Sequence, residues 1–128
     1  MLVVSATQTK TMTPYELEQR ETEDPSVVLV VLAGELDLTN ARELEGRIEA
    51  LPGENGRSLL IDLNRVVFMD SAALHVLFRT ARRLGRDRLG LLYEPTAAVS
   101  RALGIVGLPT VTTSGAVRDE LIAALSAS

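Results

Sequence analysis

The chain has 128 residues, 46% of them hydrophobic, which suits one domain with a single compact core built mainly from aliphatic side chains. Its formal net charge of −4 argues against direct nucleic-acid binding, which requires a basic surplus. Cysteine is absent, which excludes disulfides and thiolate metal sites, and the longest apolar run, residues 27–33, is far shorter than the roughly 20 residues of a membrane span. We therefore expect a cytoplasmic protein with no membrane attachment, since residues 1–5 also lack the pattern of a secretory signal.

Two strand patterns open the predicted domain. Residues 1–13 are rich in Thr, Ser and Gln without a clear period, so we interpret them as a loose extension before a domain at 14–128. Residues 15–22 alternate weakly between apolar and polar, as an edge strand does. The β-branched run at 27–33 predicts a central strand that is buried on both faces and paired with the first strand as a hairpin.

A helix is predicted directly after the hairpin. Its apolar positions recur at helical spacing and are Ala41, Leu44, Ile48 and Leu51. Thr39 or Asn40 is the expected N-cap, and Glu43 is placed for a capping box with Asn40. Pro52-Gly53 is a typical helix stop.

Helices and strands then alternate to the end of the chain. The expected elements are a strand at 59–63, a short loop, a helix from Ser71 to about Gly85, a strand at 89–93, a helix from Thr96, a short strand at 110–112 and a helix capped by Ser114. Repeated strand–helix–strand units require a largely parallel sheet. The predicted fold is therefore α/β, with a mixed, mostly parallel sheet of four to five strands, an antiparallel edge hairpin and about four helices.

The tetrapeptide Met69-Asp70-Ser71-Ala72 lies between a predicted strand and the start of a helix. Asp and Ser are favoured there because their side-chain oxygens accept hydrogen bonds from the first helical N–H groups, and capping alone is one interpretation. If Asp70 is the cap, however, the Ser71 hydroxyl is left free at the first helical position. A phosphate on it would add a charge of about −1.5 to −2 to that surface, which any docking partner would meet.

The tetrapeptide Gly34-Glu35-Leu36-Asp37 follows the predicted central strand. Its simplest interpretation is a bend at Gly34 and a local turn bond from Asp37. Loops at the carboxyl ends of parallel strands share one edge of the sheet, where open α/β sheets usually carry their sites. We therefore expect Asp37 to lie at the same end of the sheet as Ser71.

Basic side chains follow Ser71 at helical spacing: His75, Arg79, Arg82 and Arg86. A solvated helix face explains this stripe, because arginine is favoured near helix C-termini, but a docking surface for an acidic partner also fits. His75 is the single histidine of the chain, so we expect it to be a surface residue rather than a metal ligand.

Three motifs in order give the chain a family resemblance. Gly34-Glu35-Leu36-Asp37, Phe68-Met69-Asp70-Ser71 and residues 104–108 stand at similar places in the STAS domain family, above all in bacterial anti-sigma factor antagonists. The resemblance covers about residues 15–125 in element order. It implies a regulatory protein rather than an enzyme.

The resemblance also implies a mechanism and partners. In the family, the serine after the motif aspartate is phosphorylated by an anti-sigma factor with serine-kinase activity, which assigns the phosphoacceptor to Ser71. The family's loop aspartate, which helps to engage the kinase, matches Asp37. The unphosphorylated antagonist binds the anti-sigma factor and frees the sigma factor, and a metal-dependent serine phosphatase resets it. ATP and magnesium belong to the kinase, so no cofactor is expected in this chain.

One position departs from the family pattern. The family usually has glycine two residues after the serine, and this chain has Ala73, which favours helix by about 1 kcal/mol and adds a methyl group where a partner could approach. The residues expected to form the partner-binding surface are Asp37, Asp70, Ala72, Ala73, His75 and Arg79.

Two alternatives and one open question remain at this point. Ala73 favours a STAS scaffold or sensor subunit of a larger signalling complex that is never phosphorylated. A small hydrolase that uses Ser71 is less well supported, because only the presence of a serine near acids favours it. His75 is the single histidine available as a base, and no acid that would orient it is evident. The sequence leaves open whether the chain forms a homodimer.

Overall fold

A five-stranded sheet organises residues 11–51 and 56–126, the part of the chain that the computed structural model describes. The strands are β1 (Tyr15–Glu21), β2 (Val27–Leu36), β3 (Ser58–Met69), β4 (Leu89–Leu92) and β5 (Thr113–Gly115). The helices are α1 (Ala41–Glu49), α2 (Ser71–Leu84), α3 (Ser100–Ile105) and α4 (Arg118–Ser126), with a 3-10 helix at Leu108–Thr110. None of the helices in these ranges is long and apolar enough to cross a bilayer.

The strands lie in the order β1-β2-β3-β4-β5. β1 pairs antiparallel with β2, and the other neighbours pair parallel, which confirms the predicted mixed sheet with its edge hairpin. β2 contributes to two cores on opposite faces, as its β-branched sequence predicts. Val28, Val30 and Leu32 enter the core beneath α1 and α2, and Val27, Leu29 and Val31 enter the core beneath α4.

Helix α2 packs on the sheet through one face. Its buried residues are Ala73, Leu74, Val76, Leu77, Thr80 and Ala81. The helix ends at Gly85, whose φ of +88° lies in the left-handed region that favours glycine. Its outer face presents Ser71, His75 and Arg79, which are exposed and lie four residues apart on successive turns.

β2 and β3 extend further than expected. β2 continues to Leu36 and β3 to Met69, so the predicted loop between residues 63 and 69 is wrong, and Gly34 lies within a strand rather than after one. The extensions pair with each other across two register shifts, and Leu36 faces Met69. Val66 and Met69 are buried three residues apart, because the irregular pairing replaces the strict alternation by which a strand is recognised.

The last elements also differ from their predicted boundaries. α3 begins at Ser100 rather than Thr96, and the final strand is Thr113–Gly115 rather than 110–112. Ser114 therefore lies in β5, and the prediction that it caps the final helix is wrong. Each of these segments has six residues or fewer, which is too short for periodicity to locate. The predicted helix stop Pro52-Gly53 lies outside the described residues.

Candidate functional site

The carboxyl ends of β2 and β3 form one corner of the molecule. Leu36 and Met69 are register partners, so the residues that follow them, Asp37 and Asp70, leave neighbouring strands side by side. The backbone N–H of Asp70 donates to the carbonyl oxygen of Leu36 at 3.1 Å, which holds the two chain segments together. The structure thus places Asp37 and Ser71 at the same end of the sheet.

Asp70 joins the two loops of this corner. Its Oδ1 atom accepts a hydrogen bond from the N–H of Ala73 at 3.2 Å and thereby caps α2. Its Oδ2 atom accepts a hydrogen bond from the N–H of Leu38 at 3.0 Å. One carboxylate therefore sets both the start of α2 and the path of the loop after β2.

Ser71 is the first residue of α2 and is exposed. Because Asp70 supplies the cap, the Ser71 hydroxyl has no capping role, and it makes no hydrogen bond to any residue within 11–51 or 56–126. An exposed hydroxyl without an internal partner can enter the active site of an enzyme that modifies it. A chemical group can be attached to such a hydroxyl without the loss of a hydrogen bond within the described part of the protein.

Asp37 organises the loop that leads into α1. Its Oδ1 atom accepts hydrogen bonds from the hydroxyl of Thr39 at 2.6 Å and from the N–H of Thr39 at 2.9 Å. Its Oδ2 atom accepts a hydrogen bond from the hydroxyl of Thr13 at 2.7 Å. The hydroxyls of Thr39 and then Thr13 hold the pKa of Asp37 below its ordinary value, because they stabilise the ionised carboxylate.

Asn40 is completely buried beneath this loop. Its Oδ1 atom accepts a hydrogen bond from the N–H of Asp37 at 3.0 Å, and its Nδ2 atom donates to the carbonyl oxygens of Thr13 and Glu35, each at 2.9 Å. The Asn40 side chain therefore makes no capping bond to α1. It fixes the loop from inside.

The predicted capping box between Asn40 and Glu43 is wrong. The Glu43 carboxylate instead accepts a hydrogen bond from the hydroxyl of Tyr15 at 2.8 Å. Thr13, which we placed in the loose extension, is tied to the domain through Asp37, Thr39 and Asn40. Residues 1–10 of that extension lie outside the described part.

A groove of about 810 Å³ runs between α1 and α2 beside this corner. Its lining residues are Met12, Leu38, Thr39, Ala41, Arg42, Glu45, Ala72, His75 and Arg79. Leu38 stands at its rim with 78% of its surface exposed, the largest exposed fraction among the large apolar side chains of the described residues. The groove thus combines an apolar rim with charged walls.

Three of the predicted partner-binding residues, Ala72, His75 and Arg79, line this groove. Arg79 is already paired, because its guanidinium donates to both carboxylate oxygens of Glu45 at 2.7 and 3.0 Å. This pairing links α1 to α2 and lowers the pKa of Glu45. The predicted basic stripe is shorter than expected, since Arg86 lies beyond the end of α2.

Ala73 does not reach the surface. Its side chain is completely buried in the core beneath α2. The methyl group that replaces the expected glycine hydrogen therefore contacts the protein interior, and the expectation that it meets a partner directly does not match the structure. Any influence of Ala73 on a partner has to act through the packing of α2.

The described residues at the corner do not form the arrangement of a serine hydrolase. The His75 imidazole makes no hydrogen bond within residues 11–51 and 56–126, so no carboxylate among them orients it as a base for Ser71. Both oxygens of Asp37 and of Asp70 already accept hydrogen bonds from the loops and from the first turn of α2. In the same ranges no group of three or more His, Cys, Asp or Glu side chains could hold a metal ion.

Known proteins resemble this chain in sequence and in fold. The STAS domain profile matches residues 19–119. The anti-sigma-F factor antagonist RsfB of Mycobacterium tuberculosis is 35% identical over 82 residues, which are 64% of this chain and 67% of that protein. A crystal structure of an anti-sigma factor antagonist from Mycobacterium paratuberculosis has a TM-score of 0.75 and 26% identity, and the match covers 88% of this chain and 95% of that one.

A further solved structure is similar in fold alone. The Bacillus cell fate determinant SpoIIAA in its phosphorylated form has a TM-score of 0.57 and 22% identity. The match covers 85% of this chain and 96% of that chain. The architecture that carries the corner is therefore shared over nearly the whole length of that protein.

Proposed function

The chain belongs to the STAS domain family, and we propose that it is an anti-sigma factor antagonist controlled by phosphorylation of Ser71. The unphosphorylated form binds an anti-sigma factor with serine-kinase activity, and the sigma factor is thereby released. The kinase, which binds ATP and magnesium, transfers the γ-phosphoryl group of ATP to the Ser71 hydroxyl and releases ADP and a proton. This ends the interaction, and a metal-dependent serine phosphatase restores it by hydrolysis. This switch operates in the cytoplasm, where transcription takes place. The proposal is supported by relatives that are named as anti-sigma factor antagonists.

The observation that carries the proposal is the free hydroxyl of Ser71. Helix starts usually use such a side chain as a cap, but here the cap is the Oδ1 atom of Asp70. Ser71 is left exposed and without an internal hydrogen bond to the described residues. Phosphorylation therefore leaves the cap of α2 intact and changes only the surface that a partner meets.

The charge of the corner explains why phosphate would weaken docking. Two carboxylates, Asp37 and Asp70, already lie at this end of the sheet, and a phosphate adds about −1.5 to −2. A partner that covers Ser71 would have to remove this charge from water, which lowers affinity unless the partner supplies cations to pair with it. The exposed apolar side chain of Leu38 lies in the same surface and gains most from being covered.

The loop residues have a positioning role in this proposal. Asp37 does not present a free carboxylate, because Thr13 and Thr39 hold both of its oxygens. It fixes the shape of the loop that carries Leu38 and thereby the surface that the kinase engages. Ala72 and His75 contribute the part of that surface that belongs to α2.

The proposal is tested by phosphate transfer. The purified chain is incubated with ATP, magnesium and an anti-sigma factor with serine-kinase activity from the same organism, and its intact mass is measured. We expect the addition of one phosphoryl group, its loss in Ser71→Ala, and no change in Ser26→Ala, in which an exposed serine at the opposite end of β2 is removed.

Two outcomes would contradict the proposal. Phosphate that is still added to Ser71→Ala would place the acceptor elsewhere. A complete lack of transfer, together with stable binding of the same kinase, would instead favour the STAS scaffold that is never phosphorylated.

A further inference from the structure

We propose that His75 pairs with the phosphate group on Ser71 and that Arg42 provides a second cation for it in the groove between α1 and α2. This inference rests on the proposed phosphorylation of Ser71. It concerns interactions that the phosphate makes within this chain before any partner binds the phosphorylated surface. It makes the groove a receiving site for a covalently attached phosphoryl group.

The geometry of α2 places His75 next to Ser71. Both residues are exposed, and they lie four positions apart in one uninterrupted helix. Side chains at this spacing are neighbours, with Cβ atoms about 5 to 6 Å apart. An anion that precedes a cation by four residues also has the favourable orientation relative to the helix dipole.

The groove contains one imidazole and one guanidinium that have no partner in the described part of the chain. His75 lies on the α2 wall and Arg42 on the α1 wall. Neither forms an ion pair or hydrogen bond with another residue within 11–51 or 56–126. Arg79 lines the same groove but is held by both oxygens of Glu45, so it is not available in the same way.

Within residues 11–51 and 56–126, the remaining charged groups around His75 leave it without a carboxylate partner. From α1 the groove presents Arg42 and Glu45, and from α2 it presents Arg79. Glu45 is committed to Arg79, and the oxygens of Asp70 accept hydrogen bonds from backbone N–H groups. A phosphate on Ser71 would therefore be the first anion free to pair with His75.

This pairing would couple the switch to pH. An imidazole and the second ionisation of a phosphate monoester both titrate between about pH 6 and 7. Each stabilises the charged form of the other, so protonated His75 would favour the doubly ionised phosphate. The net charge that a partner meets at the corner would then vary over this narrow range.

The single histidine of the chain makes the test direct. In an untagged protein every imidazole NMR signal belongs to His75, and phosphoserine can be introduced at position 71 during translation without the kinase. We expect the titration midpoint of His75 to rise by about half a pH unit or more relative to the unmodified protein. The titration midpoint of the phosphate, measured by phosphorus-31 NMR, should be higher in phosphorylated His75→Gln and Arg42→Gln than in the phosphorylated protein without these substitutions.

A matched control separates pairing from a general charge effect. Phosphoserine at position 26 adds the same charge at the opposite end of β2, about 30 Å away over the ten residues of that strand. The His75 midpoint should not change in this protein. Equal midpoints with and without phosphoserine at position 71, or equal shifts for positions 71 and 26, would overturn the inference.

The two proposals fail independently in these experiments. The NMR measurement uses phosphate that is installed without a kinase, so an unchanged His75 midpoint overturns the pairing and leaves the proposed function standing. A lack of phosphate transfer by the kinase overturns the proposed function whatever the NMR result.

Discussion

Asp70 accepts a hydrogen bond from the N–H of Leu38 at 3.0 Å, although the two residues lie 32 positions apart in the chain. The same carboxylate caps α2 through the N–H of Ala73. One side chain thus connects the loop that presents Leu38 with the helix that presents Ser71. The proposed phosphoacceptor and the exposed apolar contact are therefore held in a fixed relation to each other.

Replacement of Asp70 should weaken this connection measurably. Asp70→Ala removes a helix cap, which contributes about 1 kcal/mol, and a second hydrogen bond of similar value, so we expect the free energy of unfolding to fall by about 1.5 to 3 kcal/mol. Urea denaturation followed by circular dichroism measures it. Glu49→Ala, at an exposed position of α1 without a capping role, should change stability by less than about 0.5 kcal/mol. Equal stability of Asp70→Ala and the unmodified protein would show that this carboxylate does not hold the corner.

Substitution of Asn40 should lower the free energy of unfolding more than substitution of the other loop residues. Asn40→Ala leaves the N–H of Asp37 and the carbonyl oxygens of Thr13 and Glu35 without the bonds that the buried amide now makes. We expect a loss of about 2 to 4 kcal/mol, measured by the same denaturation. Asn64→Ala is the control, because Asn64 is exposed and accepts a single bond from the N–H of Glu94. A loss no larger than that of Asn64→Ala would contradict the buried role of Asn40.

The sequence predicts the architecture because the strongest patterns are long. The β-branched run of β2 and the 14-residue amphipathic helix α2 each extend far enough for their periods to be recognised. The extensions of β2 and β3 were missed because the register shifts between them disturb the alternation of buried residues. Their length matters for the proposed function, since it brings Asp37 and Asp70 together.

The site was predictable only in part, for a related reason. Asp70 and Ser71 form a local signal, because a cap and the residue after it are adjacent in the chain. Asn40 and Thr13 act through contacts that span up to 27 positions, so no local sequence pattern predicts their role. The only local signal is that the polar residue Asn40 directly precedes a helix with a buried apolar face. This signal predicts a helix cap, and the Asn40 side chain does not form one.

The pKa of Asp37 should reveal the two threonine contacts. A carboxyl group whose pKa is lowered in the folded protein contributes stability that is present above the unfolded value, about 3.9 for Asp, and is lost as the pH falls through the folded value. Thr39→Val and Thr13→Val should each raise the pKa of Asp37, and Thr39→Val should raise it more. Carboxyl carbon-13 titration of the variants measures this. An unchanged pKa in both variants would show that the hydroxyls do not stabilise the carboxylate.

A negative charge at Ser71 should weaken binding to the anti-sigma factor. Ser71→Asp and Ser71→Glu are expected to lower affinity by at least about tenfold, since even a single added charge has to be covered by the partner. Ser71→Ala should bind as tightly as the unmodified protein. Titration calorimetry with the purified anti-sigma factor measures all three, and Ser26→Asp controls for net charge alone. Unchanged affinity in Ser71→Glu would mean that the partner does not cover this position.

Leu38 should contribute to binding without contributing to stability. Its side chain is 78% exposed, so it adds little to the core, but it would be covered by a partner that docks at the corner. Leu38→Gln is expected to lower affinity for the anti-sigma factor by at least about tenfold and to leave the melting temperature within about 2 °C. The matched control is Ile105→Gln, because Ile105 is 74% exposed at the end of α3. If Ile105→Gln weakens binding and Leu38→Gln does not, the partner docks on the α3 side of the molecule and not over Ser71.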